Sequence, residues 1–427
     1  MKQSIRAVNF PIHARVAIPG SKSLTNRALL LAALAEGVSE LFDILISDDT
    51  LALIDALHKL GIIVQLDKDN HSVIIAGGQG SFPKKEAAIW CKDAGTIARF
   101  LLAACASSQG NYQFDGSERL RERPILSLLR TLTNQGAKII PTEAEKMPFT
   151  LVGTDGLSGG IIEIDGSETS QFASALLMVA PFAKQEVIIK THDVVSSPYL
   201  NMTCEVMADF GVLVRRMHQT RFSVPAPQRY LARDYTVEPD LSTASYFFAA
   251  AAITQGTITI QPVNRAESTQ ADVEFLTVLE KMGCQVEESM SGLLVRGPEV
   301  LTGVSVSMRD FSDTFMTLAA IAPFADTPTT ITNIGHTRRQ ESNRITAMKM
   351  GLESLGVKVQ EGSDWIRIFP GTPTAGVINS HKDHRIAMAF SIIGLRVEGI
   401  EIDGAECVAK TCPDFFKMLE KLNYVSY

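Results

Sequence analysis

The sequence predicts an α/β protein of two domains, each made of three repeats that combine strands with one buried and one half-exposed helix. Two observations support this prediction. An alanine-rich apolar segment recurs about every 70 residues along the chain, and a fixed period of that kind indicates a repeat architecture. A second, amphipathic segment follows each apolar one, and short alternating runs lie between them.

The six alanine-rich segments predict buried helices. They include SLTNRALLLAALA and DHRIAMAFSIIGL, and they begin near Ser23, Gly95, Ser170, Thr243, Asp313 and His384. A helix that is apolar on all sides must be surrounded by protein. We therefore expect these helices at the centre of the fold, with sheets and amphipathic helices around them.

The amphipathic segments predict half-exposed helices, because their apolar residues recur at helical spacing. They end at Gly61, Gly136, Gly211, Gly283, Gly356 and Asn423. Glycine or asparagine directly after a helix favours a left-handed C-cap.

Alternating runs such as VIIAGG, IIEIDG, TITIQPV, IRIFPG and IEIDGA predict strands. Six repeats divide naturally into two domains of three. The proline-bearing stretch from Val224 to Asp240 lies between the third and fourth repeats, and we expect the chain to cross between domains there.

Composition excludes several classes of protein. A net charge of -7 argues against a broad basic face for nucleic acid. Six scattered cysteines show no metal-ligand spacing, which favours free thiols in a reducing compartment. No apolar run approaches the ~20 residues of a membrane span, and no secretory signal opens the chain. We expect a cytoplasmic protein without nucleic-acid or membrane partners.

The stretch PGSKS is not a Walker loop, because Arg15 stands where the first glycine belongs.

Polar and charged residues concentrate where the predicted helices begin. Serine, threonine and aspartate at such positions are usually caps, but cations there oppose the helix dipole. The cations near helix starts are Lys22, Arg123, Arg344, Arg385 and Lys410. Helix N-termini that carry Lys and Arg side chains bind phosphate or carboxylate, so the pattern predicts anionic ligands. For RLRER and TRRQESNR, a solvated run of charge is the competing interpretation.

Several motifs, in this order, resemble those of the 3-phosphoshikimate 1-carboxyvinyltransferases, the EPSP synthases. They are PGSKSLTNRALLLAALA, DAGTIARFLLAA, SERLRERP, DGSETSQFASALL, SSPY, SDTFMTLA, RRQESNR, DHRIAMAF and the pair Lys410 and Thr411. The resemblance extends from about Val16 to Phe416.

The resemblance implies an inside-out α/β barrel in each of two domains, each with three βαβαββ repeats and buried central helices. One domain would comprise residues 1–20 and 240–427 and the other residues 21–239, with the active site in the cleft between them. It also implies a monomer that uses neither a metal nor an organic cofactor.

The implied reaction transfers the enolpyruvyl group of phosphoenolpyruvate to the 5-hydroxyl of 3-phosphoshikimate, releasing phosphate. The residues implied to bind 3-phosphoshikimate are Lys22, Ser23, Arg27, Thr169, Ser170, Gln171, Ser196, Tyr199, Asp313, His336 and Gln340. Those implied to bind phosphoenolpyruvate are Lys22, Gly95, Arg123, Gln171, Glu341, Arg344, Arg385 and Lys410. Asp313 would be the base for the hydroxyl, Glu341 the acid and later the base at the methylene carbon, and Lys22 a proton relay.

Some positions depart from the pattern common in bacterial members of this family. Gln340 stands where a substrate-contacting lysine is usual, and we expect Arg338 or Arg339 to compensate for the missing charge. His336 stands where asparagine is frequent, and Ser197 and Asp93 replace a lysine and an asparagine.

Two alternatives compete with this assignment. The UDP-N-acetylglucosamine enolpyruvyl transferases share the fold and chemistry, but they typically use a cysteine in the loop after the second buried helix. The corresponding stretch here, QGNYQFDGSERLRERP, has none. An inactive anion-binding protein of the same fold is disfavoured because Lys22, Asp313, Glu341 and Arg385 are all present.

Overall fold

The computed structural model describes residues 1–422. The chain divides into two compact units. One consists of Met1–Pro19 together with the chain from Pro239 onward, and the other is the continuous stretch Gly20–Glu238.

The N-terminal segment contributes two strands to the first unit, β1 (Lys2–Ser4) and β2 (His13–Val16). The elements of the unit Gly20–Glu238 follow in chain order: α1 (Lys22–Leu34), β3 (Val38–Phe42), α2 (Asp48–Lys59), β4 (Ile63–Asp67), β5 (Ser72–Ala76), β6 (Glu86–Trp90), α3 (Gly95–Ser107), β7 (Gly110–Asp115), α4 (Glu118–Glu122), α5 (Leu126–Asn134), β8 (Lys138–Ile140), β9 (Phe149–Gly153), β10 (Gly160–Asp165), α6 (Gln171–Val179), β11 (Val187–His192), α7 (Pro198–Asp209), β12 (Arg215–His218), β13 (Arg221–Val224) and β14 (Asp234–Thr236).

The chain from Pro239 onward completes the first unit. Its elements are α8 (Leu241–Thr254), β15 (Thr257–Ile260), α9 (Glu274–Lys281), β16 (Gln285–Ser289), β17 (Gly292–Arg296), β18 (Ser305–Ser307), α10 (Phe315–Ile321), β19 (Thr329–Thr332), α11 (Arg344–Ser354), β20 (Val359–Glu361), β21 (Ile366–Ile368), β22 (Gly376–Asn379), α12 (His384–Gly394), β23 (Ile400–Asp403) and α13 (Phe415–Lys421).

Each repeat has its own small sheet. Five of the six sheets have four strands, and four of these five share the same strand order. A four-stranded sheet runs first, second, fourth, third, as in β6-β7-β9-β8. The first two strands are parallel and are joined through a buried helix, and the last two form an antiparallel hairpin. Within residues 1–422 the strands form these six separate sheets and none closes into a barrel.

Three sheets are completed by strands distant in sequence. β14 pairs parallel to β3 in the unit Gly20–Glu238. In the other unit, β2 pairs parallel to β15, and β1 pairs antiparallel to β23 in a three-stranded sheet. The predicted α/β fold of six repeats is therefore confirmed.

The six alanine-rich helices are buried as predicted, and they form the centres of two separate apolar cores, one in each unit. Every residue of α8 is buried. The predicted C-caps are also found, since the five glycines after the amphipathic helices have φ values between 83° and 108°. The sixth predicted helix end, at Asn423, lies outside the described residues.

Candidate active site

Lys22 and Arg27 lie on α1, in the unit Gly20–Glu238. Lys22 is the first residue of the helix, and its Nζ lies 3.7 Å from Oδ2 of Asp49. Arg27 lies one turn further on and is 2% exposed. Burial lowers the pKa of Arg27 to about 10, so this guanidinium stays charged at neutral pH.

Arg27 is held in place by α7. Its Nε donates to Oγ1 of Thr203 at 2.8 Å, and its Nη2 donates to the carbonyl of Tyr199 at 3.3 Å. Its Nη1 donates to the carbonyl of Ser23, 2.9 Å away. The structure thus brings Ser23, Tyr199 and Thr203 together around one buried cation. Thr203, absent from the prediction, is a side-chain partner of Arg27.

Gly95 and Arg123 contact each other closely. Gly95 is the first residue of α3, and a Cβ added to it would lie 2.7 Å from the guanidinium carbon of Arg123. Arg123 is 8% exposed. A side chain at position 95 would therefore displace the guanidinium. Gly95 thus fixes the position of Arg123, a residue predicted to bind phosphoenolpyruvate.

Gln171 begins α6 and binds a cation that sequence reasoning did not assign. Its Oε1 accepts a 2.6 Å hydrogen bond from Arg99, which also donates to the carbonyl of Pro124 at 2.8 Å. The signal for Arg99 was a lone arginine inside an alanine-rich helix, where burying a charge requires partners.

The neighbouring serine and threonine support the capping interpretation in part. Thr169 Oγ1 accepts from the backbone N–H of Gln171 at 3.2 Å, which satisfies a donor at the start of α6. Ser170 is the N-cap residue, but its side chain makes no capping hydrogen bond. Ser196 and Tyr199 lie beside the start of α7, where Ser196 takes a left-handed φ of 52°.

The other unit gathers charged residues around Arg344, the first residue of α11. Arg344 is 2% exposed. Its Nη1 donates to Asp313 at 3.1 Å, its Nη2 to Glu341 at 2.9 Å and its Nε to Asp383 at 2.8 Å. Burial alone would lower the pKa of Arg344, but these three carboxylates raise it above its ordinary value.

Two more cations complete this cluster. Nη2 of Arg385, the second residue of α12, donates to Oδ2 of Asp313 at 2.7 Å. Nζ of Lys410 lies 3.2 Å from Oε1 of Glu341. Each of the two predicted acid–base residues is thus held between two cations.

His336 borders the cluster through Ser312, whose hydroxyl lies 2.8 Å from the imidazole Nε2. Burial lowers the pKa of His336 to about 4, although Asp313 opposes the shift. This imidazole is therefore neutral at physiological pH and presents a hydrogen-bonding group rather than a charge.

Gln340 is bonded to the cluster itself, because its Oε1 accepts from Nη1 of Arg344. The compensation expected from Arg338 or Arg339 stays a prediction. The guanidinium of Arg338 donates to Glu361 at 2.9 Å and also to Asn343, Thr346 and backbone carbonyls. Each of its three nitrogens therefore has a hydrogen-bond acceptor within the protein.

Asp383 is a further residue that sequence reasoning left without a role, after Thr203 and Arg99. It is fully buried, it caps α12 by accepting from the N–H of Arg385 at 3.0 Å, and it anchors Arg344. The signal was its position directly before a buried helix that carries an arginine.

The described residues contain no cluster of three His, Cys, Asp or Glu side chains arranged to hold a metal ion. All six cysteines are free thiols. Among helices within residues 1–422, none combines the length and apolar character needed to cross a bilayer. The groups that the site does show are carboxylates paired with buried cations.

Six repeats, each with a small sheet and a buried helix, together with clustered cations and carboxylates, are typical of the class of enolpyruvyl transferases. A sequence model of the family EPSP synthase (3-phosphoshikimate 1-carboxyvinyltransferase) matches residues 8–419. The chain is 46% identical to the 3-phosphoshikimate 1-carboxyvinyltransferase of Nostoc punctiforme, over 98% of this chain and 99% of that one. For the protein of the same name from Trichormus variabilis, the identity is 44%, over 98% of both chains.

A solved structure is also similar. The EPSP synthase of Acinetobacter baumannii superposes with a TM-score of 0.82 at 25% identity, over 99% of this chain and 98% of that one. The chain belongs to the EPSP synthase family. The resemblance read from its motifs is confirmed.

Proposed function

We propose that this protein transfers the 1-carboxyvinyl group of phosphoenolpyruvate to the 5-hydroxyl of 3-phosphoshikimate, releasing inorganic phosphate. The observation that carries the proposal is the cluster around Arg344, where two carboxylates are held against three buried cations. Family membership identifies the reaction class, and the cluster supplies the groups that this reaction requires.

The carboxylates of this cluster occupy the positions that substrate anions would take. Asp313 bridges Arg344 and Arg385, and Glu341 bridges Arg344 and Lys410. When phosphoenolpyruvate binds, its phosphate and carboxylate would replace these side chains as partners of the cations. The displaced carboxylates would then be able to exchange protons with the substrates.

The reaction is an addition followed by an elimination. Asp313 removes the proton of the 5-hydroxyl while that oxygen attacks C2 of phosphoenolpyruvate, and Glu341 protonates C3. Glu341 then takes a proton back from C3 as the C2–O bond to phosphate breaks, which restores the double bond. Lys22, with Asp49 beside its Nζ, relays a proton to the bridging oxygen of the leaving phosphate.

The remaining predicted residues would bind rather than react. On the unit Gly20–Glu238, Arg123 supplies positive charge for phosphoenolpyruvate, and Arg27 supplies it for 3-phosphoshikimate. The neutral His336 and the amide of Gln340 suit the hydroxyl groups of the sugar-like ring. No metal or organic cofactor takes part in the proposed reaction.

We further infer that residues 1–20 with 240–427 and residues 21–239 act as two domains that close on the substrates, with the active site in the cleft between them. Each carries its own set of cations, and small anions gathered from both sides would exclude water from the reacting atoms. Small-angle X-ray scattering should show a smaller radius of gyration with both substrates present. The same measurement tests the proposed monomer. We also propose a cytoplasmic location, which the six free thiols support.

The test is phosphate release by the purified protein supplied with phosphoenolpyruvate and 3-phosphoshikimate. Asp313→Ala and Glu341→Ala should each lower kcat at least about 100-fold, the scale of a positioned acid or base. The matched control is Asp326→Ala, an exposed carboxylate of the same unit, which should leave kcat unchanged. Phosphate release with UDP-N-acetylglucosamine in place of 3-phosphoshikimate would overturn the assigned acceptor.

A further inference from the structure

Asp272 is a buried carboxyl group that the proposed reaction does not use. It lies in the short 3₁₀ helix Ala271–Val273, packed against the start of α8, and is 5% exposed. Oδ2 accepts a 2.8 Å hydrogen bond from the hydroxyl of Ser242. Within residues 1–422, Oδ1 accepts no hydrogen bond, which is costly for a buried carboxylate oxygen.

Charged groups from three other elements face this carboxyl. The 3₁₀ helix Ser312–Thr314 packs against Ala271–Val273 and brings Asp313 near Asp272. Arg385, at the start of α12, donates to that same Asp313 at 2.7 Å, and Asp240 is the N-cap residue of α8. Burial raises the pKa of Asp272 to about 7; Asp313 and Asp240 raise it too, while Arg385 and the Ser242 hydroxyl oppose the shift.

The position of Asp272 is fixed by the residue two places before it. Gln270 is 3% exposed. Its side chain accepts from the N–H of Leu241 at 3.1 Å and donates to the carbonyl of Pro239 at 2.8 Å. The segment that carries the carboxyl is thereby tied to the start of α8, so Asp272 stays against the 3₁₀ helix that carries Asp313, the partner of Arg385.

We propose that Asp272 tunes the affinity of Arg385 for the anionic substrate by carrying a proton when that substrate is bound. The inference rests on the proposed role of Arg385 in binding phosphoenolpyruvate. A protonated Asp272 leaves the positive charge of Arg385 to the incoming anion. An ionised Asp272 competes for that charge and repels the anion, and the buried setting strengthens both effects.

The proposal predicts the direction in which the affinity for phosphoenolpyruvate changes with pH. As pH rises through the pKa of Asp272, the carboxyl ionises and phosphoenolpyruvate binds more weakly. By reciprocity, the substrate raises the proton affinity of Asp272 by the same factor. A coupling of about one pKa unit corresponds to a change of about tenfold in KM for phosphoenolpyruvate.

The experiment compares three proteins from about pH 6 to about pH 8.5, a range that brackets the titration of Asp272. They are the unaltered protein, Asp272→Asn and the control Glu274→Gln. Asparagine keeps the shape and accepts the Ser242 hydrogen bond but cannot ionise, and Glu274 is exposed two residues further on. The ionisation of the substrate is common to all three proteins and cancels in ratios of KM.

The ratio of KM in the unaltered protein to KM in Asp272→Asn should rise about tenfold across this range, while the ratio to Glu274→Gln stays constant. A constant ratio to Asp272→Asn would overturn the inference. If the unaltered protein released no phosphate at any pH, the proposed function would fail instead.

A second variant covers the case in which Asp272→Asn does not fold. Ser242→Ala removes a hydrogen bond that stabilises the ionised carboxyl, so it raises the pKa of Asp272 further. The rise in KM should then move to higher pH. A rise in KM at the same pH as in the unaltered protein would also overturn the inference.

Discussion

Replacing the buried Asp383 by asparagine should destabilise the unit that contains α12 and weaken the anchoring of Arg344. Asparagine is as good an N-cap as aspartate, so the hydrogen bond to the N–H of Arg385 can persist. The charge is lost, however, and with it the pairing to Arg344 through both carboxylate oxygens, at 2.8 Å and 3.3 Å. One side of the amide now presents N–H groups to a guanidinium that can only donate.

The size of the stability loss follows from the burial of both partners, since the side chains of Asp383 and Arg344 are 0% and 2% exposed. Breaking a buried ion pair by removing one charge costs about 3–5 kcal/mol. Arg344 keeps Asp313 and Glu341 as partners, so we expect a loss of about 3 kcal/mol in the free energy of unfolding. For a unit of roughly 200 residues this lowers Tm by about 6–12 °C.

Differential scanning calorimetry measures the change, with Asp414→Asn as the control. Asp414 also pairs with a cation, Lys417, at 2.8 Å, but its side chain is 66% exposed. Exposed pairs contribute about 0–1 kcal/mol, so the control should melt with the unaltered protein. Equal melting temperatures for the two variants would refute the reasoning that burial makes the Asp383 pair costly to break.

Three further predictions concern single residues. The folded state holds His336 neutral, while the unfolded state takes up a proton near pH 6.5. The contribution of His336 to stability is therefore present above pH 6.5 and lost as pH falls towards 4. His336→Asn should make the free energy of unfolding in urea less pH-dependent in this range, and an unchanged pH dependence would contradict the prediction. Gly95→Ala should displace the Arg123 guanidinium and raise KM for phosphoenolpyruvate several-fold at unchanged Tm; an unchanged KM would show that the guanidinium does not bind this substrate. Gln340→Lys should not tighten binding of 3-phosphoshikimate, because the new ammonium would face Arg344; isothermal titration showing a large gain in affinity would refute this.

The repeat architecture could be predicted because it depends on local patterns. An alanine-rich segment that is apolar on all sides has one stable location, the interior, and glycine after a helix has one common conformation. Both kinds of prediction concern neighbours within a few residues. The six helices of each kind, and the five C-caps that lie within residues 1–422, therefore followed from the chain itself.

The pairings of β1 and β2 could not be derived from local patterns, because they join distant segments. Only the family resemblance placed residues 1–20 with residues 240–427. Nothing in the runs around β1 and β2 indicates that they pair with β23 and β15. Short strands carry little register information, and a completed sheet edge is decided by tertiary packing.

The sequence indicated which charged residues gather in the cluster around Arg344, but not which of them pair with each other. Cations at helix starts are unfavourable by themselves, and this made Arg344 and Arg385 visible in the sequence. Their partners Asp313 and Asp383 come from other elements. Sequence alone likewise gave no reason to separate Arg338, which is bound to Glu361, from a cation that meets a substrate.

The parallel pairing of β2 with β15 and the antiparallel pairing of β1 with β23 have a consequence for synthesis on the ribosome. The first nineteen residues to emerge have no partner strands until the chain beyond Pro239 is being made. The continuous stretch between them can fold meanwhile, since its two ends already meet where the N–H of Ser21 donates to the carbonyl of Glu238 at 2.8 Å. During translation, residues 20–238 can thus fold while the strands β1 and β2 are still unpaired. A gene encoding only residues 20–238 should therefore express a folded protein.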